Sequence, residues 1–360
     1  MSLVGGAELV SSVSMKDVAA RAGVSLGTVS NVLNAPERVV QHTQERVRQA
    51  ISDLGYVRNE AARQLRAGRS RTLGLVVLDV GNPFFTDIAA GVEARAAEDG
   101  FYLLLCNSGE SAERERHYLD LLEEQRVYGI LIAPMLGGTK RIEEIRRRGT
   151  SVVLVDRRAT SAQCSASVDD VAGGRLAATH LLDQGHRRIA FVGGPHTIQQ
   201  VSDRLEGTRR AVADTADGAS VTAVESEALN VASGRQAGDR LAALPVGDRP
   251  TGVFCANDLL ALGVLQAMTR HGIEVPRELA LVGYDDIEFA AAAAVPLTSV
   301  RQPRHQLGRA AADLLIAEVA QGAAHEHRQL VFSPELAVRE SSQAAPLAPG
   351  VSTAGHVGAA

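Results

Sequence analysis

Two hydrophobic rhythms divide this chain. In MKDVAARAGVSLGTVSNVLN, near the start, Val18, Ala19 and Ala22 share one face of a short helix, and Val29, Val32 and Leu33 form a second stripe at i, i+3, i+4. TQERVRQAISDLG continues the helical pattern to residue 54. From Thr72 short Val/Ile/Leu runs alternate instead with helix-length segments. Strands are predicted at 72–79, 101–107, 129–134 and 151–156, and in a second series at 188–194, 251–257 and 279–285. Continuous apolar runs mark strands buried on both faces, parallel and joined by crossover helices. Two such series in succession predict two similar doubly wound subdomains rather than one large sheet. The fold class is therefore an N-terminal all-α domain followed by a two-lobed α/β body with two parallel sheets.

The helical head is built like a helix-turn-helix. Gly23 permits the positive φ of a tight interhelical turn, Val24 plugs the core, and the Ser25 hydroxyl can cap the second helix. Leu26, Gly27, Thr28, Ser30, Asn31 and Asn34 are left on or near its outer face. Small and amide side chains there suit a DNA major groove, where Asn bonds adenine edges. A generic helical hairpin fits the same pattern. In the body, several runs end in polar residues, namely Asp79, Asn107, Asp156, Asn257 and Asp285. Ligands of such sheets bind outside the carboxyl ends of the strands, so facing ends would make a polar pocket.

Charge sharpens this division. Residues 1–71 hold ten Lys/Arg against six Asp/Glu, a balance of +4, while the remainder holds 27 against 36, a balance of -9. A small basic head on an acidic body suggests that only the head touches a polyanion. Hydrophobic residues make up 45% and charged residues 22%, the balance of an ordinary globular protein. No apolar run is long enough to span a membrane, and the first fourteen residues lack the pattern of a signal peptide. Cys106, Cys164 and Cys255 lie far apart without CxxC spacing, which fits reduced thiols in the cytoplasm. His325 and His327 are the one metal-type histidine pair and read as polar loop residues, so no metal and no cofactor is expected. The glycines of FVGGP (191–195) miss the GxGxxG spacing and read as a turn. There is no nucleophile elbow or dinucleotide fingerprint, and no catalysis is expected.

The run D-V-A-x-x-A-G-V-S-x-x-T-V-S-x-V-L-N, present from Asp17 to Asn34, resembles the opening motif of the lactose-repressor (LacI/GalR) regulators. The likeness extends from about Ser14 to Arg339. It implies a helix-turn-helix domain at 14–57 with Leu26, Gly27 and Asn31 at base-reading positions, although Gly27 has no side chain to read with. It further implies a hinge helix and linker at 58–71. There Asn59 caps a short helix, Ala62 lets two such helices pack closely, and Leu65 wedges a base step in the minor groove. Without the resemblance, Leu65 reads as a minor core residue on an Arg-rich linker.

For the body the resemblance implies the fold of periplasmic sugar-binding proteins, with two lobes joined by three crossings. Lobe one is expected at 72–163 and 301–326, and lobe two at 164–297 and 327–340. Residues 1–13 and 341–360 are expected to be disordered. Ligand contacts carry over to Asp79 or Asn82, to Phe84 or Phe85 for stacking, and to Asp156, Arg204, Asn257 and Asp285. Asp258 reads as an N-cap and Asp286 as structural, while Arg157 and Arg158 either meet a phosphorylated ligand or are solvated. Sugar binders often stack on Trp, which this chain lacks; Leu229 aligns with one such position. The function implied is a homodimeric, cytoplasmic repressor of carbohydrate genes that binds near-palindromic operator DNA under control of a small sugar. A solute-binding component of a sugar transporter is the alternative.

Overall fold

The computed structural model describes residues 13–57, 70–135, 139–159, 163–215 and 218–343. The head contains α1 (Met15–Ala22), α2 (Leu26–Asn34) and α3 (Gln41–Leu54). Ser14 caps α1 in a reciprocal box with Asp17, and Gly23 closes it at φ 63°. The Arg46 guanidinium bonds the carbonyls of Ala22 and Gly23, fixing the turn from α3. The Ser25 hydroxyl accepts from Thr28 N–H at 3.1 Å and caps α2. Val18, Ala19, Ala22, Val29, Val32, Val47 and Ala50 form the head's own core, with Val24 and Leu33 packed against it.

The body, from Ser70 onward, carries two six-stranded sheets. The first uses β1 (Thr72–Val77), β2 (Tyr102–Asn107), β3 (Gly129–Ile132), β4 (Val152–Val155), β5 (Ser165–Val168) and β11 (Gln329–Phe332), in the order β11-β5-β4-β3-β1-β2, all parallel. The second uses β6 (Arg188–Gly193), β7 (Ser220–Glu225), β8 (Gly252–Cys255), β9 (Ala280–Asp285), β10 (Thr298–Arg301) and β12 (Glu335–Ala337), in the order β12-β10-β9-β8-β6-β7, with only the edge strand β12 antiparallel.

Alternation along the first sheet shows why its strands read as unbroken apolar runs. Leu73, Leu75, Val77, Leu131, Val153 and Val155 join one buried cluster, while Val76, Ile130, Ile132, Val152 and Leu154 join another on the opposite face. The crossover helices α4 (Pro83–Glu98), α5 (Ala112–Glu124) and α6 (Thr139–Arg147) follow β1, β2 and β3, and α12 (Arg304–Gln321) packs beside α4. Helices α7 (Asp170–Asp183), α8 (Gln199–Ala213), α9 (Val231–Ala242), α10 (Asp258–Arg270) and α11 (Glu288–Ala292) belong to the second half.

Three expectations need correction. Residues 164–168 and 327–332 were expected in the second lobe, but β5 pairs with β4, and β11 with β5, in the first sheet, and β10 lies in the second. The chain therefore changes sheets after Val168, between Arg301 and Arg304, and after Phe332. The short, partly polar runs SASV and QLVF take their place from ladder hydrogen bonds, not from an apolar signal. Disorder was expected from residue 341. Instead Ser341 and Ser342 are buried: Ser341 Oγ accepts from Thr298 N–H (2.8 Å) and donates to the Leu281 carbonyl (2.6 Å). Asp258, thirdly, is not the cap of α10, as described below.

Candidate functional site

On the head, α2 presents the positions anticipated for base reading. Ser25, Leu26, Gly27, Asn31 and Asn34 are exposed, with Leu26 at 44%, whereas Thr28 and Ser30 are half-buried. Exposing a Leu at a helix start leaves an apolar contact available to a partner. The hydroxyls of Ser25 and Thr28 lie 2.9 Å apart, and Asn34 donates back to the Ser30 carbonyl at 2.8 Å, so these three groups are partly engaged within the helix. Asn59, Ala62 and Leu65 lie outside the described residues.

In the body, a cavity opens where the carboxyl ends of the two sheets meet. Asp79, Asn82, Phe84, Phe85, Asp156, Arg204, Asn257 and Asp285 all line it, although they are spread over 207 positions of sequence. Leu229 lines it as well. Each polar residue is set by its element. Asn82 caps α4, its Oδ1 accepting from Phe84 N–H at 3.0 Å, and Asn257 caps α10, its Oδ1 accepting from Leu260 N–H at 2.9 Å. Asn257 thus takes the capping role expected of Asp258. The Asp258 carboxylate instead accepts from Ser299 Oγ (2.7 Å) and Ile287 N–H (2.9 Å), holding the ends of β8 and β10 to the loop after β9. Phe84 and Phe85 meet edge to face with centroids 4.9 Å apart, and both are buried.

Arg204 reaches the cavity because α7 and α8 cross closely. A Cβ on Gly174 would stand 2.0 Å from the Arg204 carbonyl oxygen, and one on Gly207 would stand 2.0 Å from that of Val171. Only glycine permits that approach, and it brings the start of α7 against α8. Arg204 Nε donates to Asp170 at 2.8 Å, Nη1 donates to the Ala256 carbonyl at 2.7 Å, and the guanidinium lies 3.6 Å over the Tyr284 ring. Asp285 is 4.0 Å away.

The two sheets are latched across the cavity by side chains. Asn82 Nδ2 donates to Asp285 Oδ2 at 3.2 Å, Gln200 Nε2 donates to Asp156 Oδ2 at 2.8 Å, and the Glu110 carboxylate accepts from Leu229 N–H. Gln200, Glu110 and Asp170 were not anticipated: a polar helix residue, a loop glutamate and a second helix acid carry no periodic signal. Arg157 is half-buried and donates to the Met135 carbonyl at 3.2 Å beside a neighbouring hollow.

Acid dominates the cavity's electrostatics. Burial raises Asp285 to about 6, against the opposing pull of Arg204, Asn82 and Gln302. Burial, reinforced by the charge of Asp170, raises Asp156 well above the carboxylate range. Burial works against the charge of Arg204, but Asp170 and the other surrounding acids outweigh it and raise its pKa. Asp156 and Asp285 also hold positive φ, 55° and 103°. For a residue with a Cβ such backbone costs roughly 1–3 kcal/mol, and it concentrates at ligand sites.

Comparison with known proteins agrees with both halves. Residues 14–59 match the profile of bacterial regulatory proteins of the lacI family, and residues 178–342 match a periplasmic binding protein-like domain. The HTH-type transcriptional repressor PurR of Vibrio campbellii is 34% identical over 330 residues, covering 91% of this chain and 98% of that protein. A lac repressor dimer bound to operator and the anti-inducer ONPF superposes with a TM-score of 0.80 at 27% identity, covering 92% of this chain and all of that one. The transcriptional regulator CelR in complex with cellobiose superposes at 0.66 with 33% identity and the same coverage.

Proposed function

The chain belongs to the lacI family of bacterial regulatory proteins, effector-regulated repressors that bind operator DNA, and from that premise we propose that its effector is a neutral sugar held in the cavity between the sheets. The observation that carries this is the donor–acceptor balance of the wall. Asp79, Glu110, Asp156 and Asp285 face the cavity with a single guanidinium, that of Arg204, whose Nε and Nη1 are already engaged. Carboxyl groups accept from hydroxyls and, where burial keeps them protonated as at Asp156, donate one O–H in return, so this wall matches a ligand of many hydroxyls and offers a phosphate only a guanidinium that is already engaged. Phe84 and Phe85 supply an apolar edge for a sugar ring, and the cellobiose bound by CelR is of this class.

The same observations support a mechanism. The latches Asn82–Asp285 and Gln200–Asp156 use side chains that a ligand would need, so ligand binding exchanges them and resets the angle between the lobes. In a cytoplasmic homodimer, that angle governs the separation of two heads reading a near-palindromic operator through Leu26, Asn31 and their neighbours. Coupling is reciprocal: an effector that weakens operator binding binds less tightly to the operator complex.

A thermal-shift screen of neutral mono- and disaccharides, sugar phosphates and nucleosides is the test. A ligand present at 100 times its Kd adds about 2.7 kcal/mol of stability. A neutral sugar is expected to stabilise the chain and change its operator affinity. Stabilisation by sugar phosphates or nucleosides alone would refute this assignment.

A further inference from the structure

Four side chains that take no part in the cavity converge at the other end of the first sheet, where β5 and β11 begin. Cys164 immediately precedes β5, His325 and His327 precede β11, and Glu318 lies near the end of α12. Their ligating atoms all lie within 4.8 Å of one another. Cys164 Sγ is 3.2 Å from His325 Nε2 and 3.7 Å from His327 Nδ1, and His327 Nδ1 is 3.6 Å from Glu318 Oε2. Bonds of 2.0–2.3 Å to a tetrahedral ion place its ligands about 3.3–3.8 Å apart, so these separations already approximate three edges of such a tetrahedron.

Two further observations point to a ligand. Glu318 Oε2 is buried, on a side chain only 9% exposed, and makes no hydrogen bond, its ion-pair partner His327 Nδ1 standing 3.6 Å off where a buried carboxylate oxygen calls for a closer cation or donor. His325 Nδ1 lies 2.9 Å from Gln321 Oε1. An amide oxygen can only accept, so Nδ1 carries the proton and Nε2 turns its lone pair toward Cys164, as an outer hydrogen bond orients a metal ligand. A surface hollow lined by Glu318, Gly322 and His327 provides a way in.

We propose that Cys164, Glu318, His325 and His327 form a structural site for a divalent ion of the zinc class. One thiolate, two imidazoles and one carboxylate are a borderline-soft set that magnesium and calcium do not favour, and four protein ligands leave no open position for catalysis. Burial holds the Cys164 thiol protonated, and on binding that proton leaves to solvent. Arg146 Nη2, which can only donate, lies 3.4 Å from His327 Nε2, so in the ion-free chain the His327 proton sits on Nδ1. On binding it moves to Nε2, and the Arg146 side chain turns away. The ion would fasten the end of α12 to the two strands that close this edge of the sheet.

The test uses the full chain, reduced and stripped with a chelator, titrated with Co2+ and then Zn2+. One Co2+ per chain is expected, with a thiolate-to-cobalt charge-transfer band that Zn2+ displaces, and Zn2+ should raise Tm. Cys164→Ser should abolish the band, and His325→Ala or His327→Ala should weaken Zn2+ binding by at least about 100-fold. Cys106→Ala, in the separate core of the sheet's other face, should leave binding unchanged. His327 is exposed, so its variant keeps the test decisive should Cys164→Ser fail to fold. Absence of the band in the wild-type chain, its persistence in Cys164→Ser, or wild-type Zn2+ affinity in His327→Ala would overturn the proposal.

Discussion

Replacing Arg204 by alanine should affect the fold before it affects any ligand. The guanidinium is 5% exposed and bonds Asp170 and the Ala256 carbonyl, with Asp285 at 4.0 Å. Removing one partner of a buried ion pair leaves the other charge uncompensated, at a cost of about 3–5 kcal/mol. For a body of this size each kcal/mol lowers Tm by about 2–4 °C, so Arg204→Ala should melt roughly 6–20 °C below the wild type. The cause can be isolated with Asp170→Asn, which discharges the stranded acid. In a double-mutant cycle, Arg204→Ala should cost at least about 2 kcal/mol less in the Asp170→Asn background. Thermal unfolding of the full chain near neutral pH, without effector, measures all four corners. If Arg204→Ala melted within about 2 °C of the wild type, or the two losses were simply additive, the ion pair would not be a structural support. Loss of effector response in Arg204→Ala is therefore ambiguous by itself.

Asp285→Asn separates the roles better. Because burial holds the Asp285 pKa at about 6, above about 3.9 in an unfolded chain, the folded state holds the extra proton between those values. Its contribution is fully present below pH 4 and lost as pH rises through 6, a decline of about 3 kcal/mol that urea titrations should find in the wild type and not in Asp285→Asn. Gly207→Ala should force α7 and α8 apart and destabilise by about 1–3 kcal/mol or more, weakening effector binding more than operator binding; isothermal titration and gel shifts on one preparation decide it. Asn31→Ala, exposed on α2, should weaken specific operator binding by about 1–3 kcal/mol without moving Tm, and unchanged discrimination between operator and scrambled DNA would remove Asn31 from the reading face.

The cavity was legible because its polar residues sit at the ends of apolar runs or at helix caps, where the pattern changes abruptly. Asp79, Asp156, Asn257 and Asp285 end or directly follow strands visible as Val/Ile/Leu blocks, and Asn82 precedes a helix that opens on proline. Their partners were not legible. Gln200 lies on a largely polar helix and Glu110 in a loop, and only the meeting of the two sheets gives either a role. Strand β7 was missed because its burial is slight from end to end, and β5 and β11 because the serines of SASV and the glutamine of QLVF interrupt the apolar run that marked the equally short β3, β4 and β8. The Cys164 cluster was invisible for a related reason: Cys164 is 161 residues from His325, and His325-x-His327 alone matches no helical metal spacing.

The interleaving of the sheets has a consequence for synthesis. The head's core takes its last packed residue from Tyr56, and among the described residues its last helix ends at Leu54, yet the first sheet waits for β11, whose last residue is Phe332. At about 5–20 residues per second, ribosomes need roughly 15–55 s to cover that interval. Throughout it, a nascent chain carries a finished reading head on an unfinished sensor, and once β5 is made its edge stays unpaired, open to any passing strand, until β11 arrives. A transcript broken before codon 332 would therefore yield a head that can still find DNA but lacks the complete lobe through which an effector could release it.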